Sequence, residues 1–123
     1  MITHLFVYGT LRPGQQRWPF LQPFVTDDGD DVSVAGMLYN TGHGYPAAKF
    51  DRQGTIHGRV YPLNLDRLDE ALALLDEVEG AVVDLFRRVA ISTTTGIHAW
   101  AYEYCGELSF PAIPSGSWLT ESA

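Results

Sequence analysis

The chain predicts an α+β fold: a mostly antiparallel, barrel-like sheet with one main helix, in a single domain over residues 1–123. Three observations carry this. Short apolar runs of strand type recur, separated by turns rich in Gly, Pro and Asp. One segment alone, near residues 66–79, repeats its apolar residues at helical spacing. The 123 residues, 46% hydrophobic and 19% charged, fit one domain around one core.

Leu5, Phe6 and Val7 read as a buried first strand. Gly9 ends it and lets backbone approach a neighbour closely, Thr10 adds a hydroxyl, Arg12 a cation and Pro13-Gly14 a turn. A strand ending in exposed N–H groups is an anion or oxyanion cradle in outline. Gln15 to Pro23 reads as a polar, proline-bearing loop. Asp27-Asp28-Gly29-Asp30-Asp31 is the sharpest charge run. It reads as a solvated turn, because a calcium loop needs Glu at its twelfth position and Leu38 stands there. Val32 to Tyr39 alternates as one strand, Asn40 to Pro46 is a Gly-rich turn carrying His43 and Tyr45, and Ala47 to Phe50 is a short strand. Thr55 to Tyr61 is a further strand ended by Pro62. Leu65, Leu68, Leu72, Leu75 and Val78 form the stripe of a helix from about Asp66 to Glu79, with Asp66 as its cap and Gly80 just past its end. Leu85–Thr93 and Ile97–Tyr104 are the last two strands, followed by a packed tail.

The net charge of −7 argues against a nucleic-acid partner and against anionic membrane surfaces. No stretch approaches a membrane span. The first apolar run is too short for a signal peptide and lacks a basic lead, so the cytoplasm is the expected location. The single cysteine, Cys105, reads as a small buried hydrophobe. No Cys/His spacing implies a metal, and no serine sits in a nucleophile elbow. Without a coiled-coil pattern, a monomer or weak homo-oligomer is expected.

Glu79 is the carboxylate that breaks a rule. It shares the last helical turn with Asp76 and Glu77, at the negative end of the macrodipole, where Lys or Arg would be favoured. That end and any burial would raise its pKa toward the range useful to a general base. The plain alternative is a carboxylate pointing into water. Arg87 and Arg88 alternate on a strand, so at most one can face a site beside Glu79; pairing with an acid is the other reading. Tyr102 and Tyr104 share one strand face and read as core.

Taken in order, these segments resemble a known family. Phe6-Val7-Tyr8-Gly9-Thr10-Leu11-Arg12-Pro13-Gly14 resembles the N-terminal signature of the gamma-glutamylcyclotransferase-like superfamily. Val34–Tyr39 is similar to its second strand, Gly44-Tyr45-Pro46-Ala47 to its "YPA" turn, and Gly58–Tyr61 to its "GEVY" strand. Leu75–Gly80 is similar to its "LDxxEG" helix end, Phe86–Val89 to its "YRRV" strand and Ser115–Trp118 to its "SGDW" tail. The resemblance implies a small mixed barrel and a cleft floored by Tyr8, Gly9, Thr10 and Leu11. It implies Glu79 as catalytic acid/base, with Tyr45 and Phe86 binding substrate. It implies an intramolecular reaction of a small gamma-glutamyl molecule that closes 5-oxoproline and expels an amine, with no cofactor. Two positions depart from the pattern. Phe86 stands where Tyr is usual and donates no hydrogen bond, and Ser117 stands where Asp is usual. A non-catalytic ligand-binding domain with the same pocket is the competing reading, which Phe86 favours.

Overall fold

Strand β1 (His4–Val7) occupies the middle of the sheet, and its side chains are buried on both faces. Leu5 and Val7 join one core cluster while Phe6 joins a second, as the period of a strand requires. In this computed structural model, which describes residues 1–81 and 86–118, the first cluster lies beneath the helices. The second lies toward a small hairpin and the C-terminal tail.

Strands β2 (Asp30–Ala35), β3 (Met37–Asn40), β4 (Pro46–Lys49), β5 (Thr55–Pro62), β6 (Phe86–Ser92) and β7 (His98–Tyr104) complete the β structure. The main sheet has five strands in the order β2-β5-β1-β7-β6. Its pairings are antiparallel except β1 with β7, which run parallel with Leu5 opposite Trp100. The expected barrel is not closed: β2 and β6 remain as edges, and β3 and β4 form a separate two-stranded sheet. Gly36 is where the small hairpin parts from the main sheet. The strand expected from Val32 to Tyr39 breaks there at φ +149°, where a Cβ would lie 2.7 Å from the Lys49 carbonyl oxygen. The chain therefore leaves the sheet after Ala35. The tail covers the outer edge of β3: the Asn40 N–H donates to Pro111 and the Ile113 N–H to Leu38. Ile113 and Trp118 are buried, so the tail packs as expected.

The loop from Gln15 to Pro23 contains a short helix, α1 (Trp18–Leu21), continued by a 3-10 turn, Gln22–Phe24. The main helix starts earlier than Asp66. Asn64 is its cap, its side chain accepting the Asp66 N–H at 3.0 Å. A 3-10 turn, Leu65–Arg67, leads into α2 (Leu68–Asp76), which buries Leu68, Ala71 and Leu75. The helix does not run on to Glu79 in α form; residues Glu77–Ala81 make a π turn. The expected start of a strand at Leu85 lies outside the described residues, and β6 is seen from Phe86. Cys105 is exposed rather than buried, because it follows the last residue of β7. No helix among the described residues is long and apolar enough to cross a membrane.

Leu75 is fully buried between α2 and the sheet. Leu75→Ala is expected to lower the unfolding free energy by about 2–5 kcal/mol through lost burial and the cavity left behind. Urea denaturation followed by circular dichroism measures this.

Candidate active site

The chain leaving β1 turns sharply at Gly9. The Arg12 N–H donates to the Gly9 carbonyl at 3.0 Å, and the Arg17 N–H to the Thr10 carbonyl at 2.7 Å. These bonds consume carbonyls. The N–H groups of Gly9, Thr10 and Leu11 donate to no acceptor among the described residues, so they stand available as donors. Gly9 is required by a close approach: a Cβ there would lie 2.7 Å from Pro46 Cγ. Pro46 begins β4, so this contact sets the Tyr45-Pro46 turn against the loop. The Tyr8 hydroxyl turns inward and donates to the Tyr102 carbonyl on β7.

Glu79 reaches the same cleft from the π turn after α2. Such turns place one more residue in the last helical circuit and so redirect the side chains that follow. The Glu79 side chain is only 9% exposed, and its Oε2 accepts from Arg17 Nη1 at 2.8 Å. Burial raises the Glu79 pKa above the ordinary carboxylate value, and Arg17 pulls it back only in part. The cause is thus desolvation, where the sequence pointed to the helix dipole as well. Tyr8 is pushed well above its usual range by burial, then by the charges of Glu79 and Glu103. It is therefore a protonated donor at neutral pH.

Tyr102, which the sequence placed simply in the core, lines the cleft and also fixes α2. Its hydroxyl donates to Asp76 Oδ1 at 2.7 Å, and Arg88 Nε donates to the same atom at 2.9 Å. Arg88 also lies 4.3 Å from the ring centroid of Trp100. Arg88 thus serves the helix end rather than the cleft, and Arg87 on the opposite face pairs with Glu103 at 2.9 Å. One wall of the cleft is aromatic. Tyr45 and Phe86 meet edge to face at 5.9 Å, and Phe86 meets Tyr104 likewise at 5.4 Å.

All seven residues singled out from the sequence (Tyr8, Gly9, Thr10, Leu11, Tyr45, Glu79 and Phe86) line this one cleft. Arg12 does not join them; it borders a separate surface groove with Arg59 and Tyr61. Sequence reasoning missed Arg17, Pro46 and Tyr102. Pro46 was legible as the neighbour of Tyr45, but nothing local distinguishes Arg17 from other loop cations. Among the described residues no group of three or more His, Cys, Asp or Glu is placed to hold a metal ion.

Two outcomes follow from this geometry. Gly9→Ala must displace Pro46, and an overpacking cost of about 1–3 kcal/mol is expected in a denaturation experiment. Glu79→Gln is expected to raise Tm at pH 7, because it removes a charge that burial disfavours. The sign follows from a folded-state pKa above the unfolded one: the charged carboxylate is disfavoured in the folded protein, and stability falls as pH rises through the folded value. At a pH below the ordinary Glu value the two proteins should converge, which paired calorimetric scans would show.

Comparison with known proteins accords with the motif order. Residues 5–120 match the family model described as gamma-glutamyl cyclotransferase, AIG2-like. The chain is 33% identical over 109 residues to the gamma-L-glutamyl-butirosin B gamma-glutamyl cyclotransferase of Niallia circulans, a match spanning 82% of this chain and 66% of that relative. It is 34% identical over 115 residues, 93% of each protein, to a Vibrio cholerae protein assigned by name to the gamma-glutamylcyclotransferases. Its fold is similar to the crystal structure of an uncharacterized protein from Pyrococcus horikoshii, with a TM-score of 0.77 at 24% identity, covering 98% of this chain and 92% of that one. The protein belongs to the gamma-glutamyl cyclotransferase, AIG2-like family of enzymes.

Proposed function

We propose that this protein is a gamma-glutamyl cyclotransferase that releases 5-oxoproline and an amine from a small gamma-glutamyl compound, with Glu79 as the general acid/base. The observation that carries this reading is a buried carboxylate of raised proton affinity in the same cleft as the unused N–H groups of Gly9, Thr10 and Leu11.

The substrate's α-ammonium gives a proton to the Glu79 carboxylate. The freed amine attacks the substrate's own γ-carbonyl carbon and forms the ring C–N bond. Negative charge grows on the carbonyl oxygen, where donors of the Tyr8–Leu11 loop stabilise it. Glu79 passes its proton to the leaving nitrogen and takes the second proton from the ring nitrogen; the exocyclic C–N bond breaks, and the departing amine takes up that second proton and leaves as an ammonium, which returns Glu79 to its carboxylate. A higher pKa strengthens the base, and Glu79 gains that from burial. Folding the substrate so that its two ends meet supplies much of the remaining acceleration. Phe86 offers ring surface and no hydrogen bond in this scheme.

Incubating the protein with a panel of gamma-glutamyl amides and following 5-oxoproline tests the reading. Glu79→Gln is expected to lower kcat by about 10²–10⁴-fold, with folding retained. The acid limb of kcat/KM should lie above the ordinary Glu range, because burial outweighs Arg17. Undiminished turnover in Glu79→Gln removes Glu79 from the role. Binding without turnover in the wild type would favour the ligand-binding domain.

A further inference from the structure

We propose that Arg17 is the anchor for the substrate's α-carboxylate, and that the Arg17–Glu79 ion pair of the free protein opens to receive a zwitterionic α-amino acid head. The inference rests on the gamma-glutamyl reading and adds which end of the substrate each charge holds.

Arg17 is the one cation among the described residues that line the cleft. The neighbouring cations are already committed: Lys49 and Arg87 to Glu103, and Arg88 to Asp76. A gamma-glutamyl head carries a carboxylate and an ammonium on one carbon. Against it the cleft presents a guanidinium and a carboxylate 2.8 Å apart. Exchange is charge-matched: the substrate carboxylate takes Arg17, the ammonium takes Glu79, and two ion pairs replace one.

The closed pair also leaves little room. Space open to the centre of a water molecule in the cleft is ≈ 20 Å³, about one or two waters' worth. A gamma-glutamyl head enters only if a wall moves. Arg17 is the side free to move, at 31% exposure against 9% for Glu79. Its backbone is held by the N–H bond to Thr10, so the side chain can swing while its base stays fixed.

The products separate the two charges and need no turnover. 5-Oxoproline keeps the carboxylate, whereas 2-pyrrolidinone is the same ring without it. Isothermal titration of both into the wild type, Arg17→Met and Arg17→Lys measures the preference. The wild type is expected to favour 5-oxoproline by about 10- to 100-fold, the range for hydrogen bonds to a charged group. Arg17→Met should lose most of that preference and Arg17→Lys should restore part of it. An equal preference in wild type and Arg17→Met overturns the assignment, as does a wild type indifferent to the carboxylate. Turnover of gamma-glutamyl methylamide is followed in parallel. No 5-oxoproline from it, with the carboxylate preference intact, overturns the cyclotransferase reading and leaves Arg17 as an anion anchor. No turnover and no binding of either ring overturns both.

Discussion

A carboxylate taken out of water is the constraint on which the site depends. Glu79 is almost fully covered, and burial raises its proton affinity against the pull of Arg17. Removing a charge from water is costly, and a single partially exposed guanidinium offsets only part of that cost. The fold therefore holds a strained electrostatic arrangement that a surface carboxylate at the same helix end would avoid. That arrangement is what the proposed role of Glu79 as a general base rests on.

The rest of the structure positions this group. Leu68, Ala71 and Leu75 fix the face of α2 against the sheet. Tyr102 and Arg88 tie its last residue, Asp76, to β7 and β6. With the helix end held, the π turn sets where Glu79 emerges. On the other side, β1 lies in the sheet centre with both faces buried, and the loop that lines the cleft extends from it. The Gly9–Pro46 contact closes the third side and brings Tyr45 and Phe86 into one wall.

The parts of this architecture governed by local pattern were legible in the sequence. Leu5 to Val7 and the leucine stripe of α2 announced themselves through period and composition. Glu79 stood out because it contradicted the helix dipole, and such contradictions gather at working sites. Parts governed by distant contacts were hidden. Gly36 interrupts an otherwise even alternation, and only the crowding against Lys49 and Ile56 shows why the chain must turn there. Barrel closure depends on whether β2 and β6 meet, which no single strand encodes. The change from α to π form at Glu77, and the capture of Glu79 by a cation 62 positions away, arise only once the elements pack. Asn64 was overlooked because Asp66 offers an equally good cap in sequence; the geometry of the preceding 3-10 turn decides between them.

The central claim is that burial, tempered by Arg17, sets the protonation of Glu79. Carbon-13 NMR titration of the Glu79 side-chain carboxyl in the wild type and in Arg17→Met measures it directly. The account predicts an apparent pKa above the ordinary Glu value in the wild type and a higher one still in Arg17→Met. A wild-type value at or below the ordinary one, or no upward movement in Arg17→Met, would contradict it.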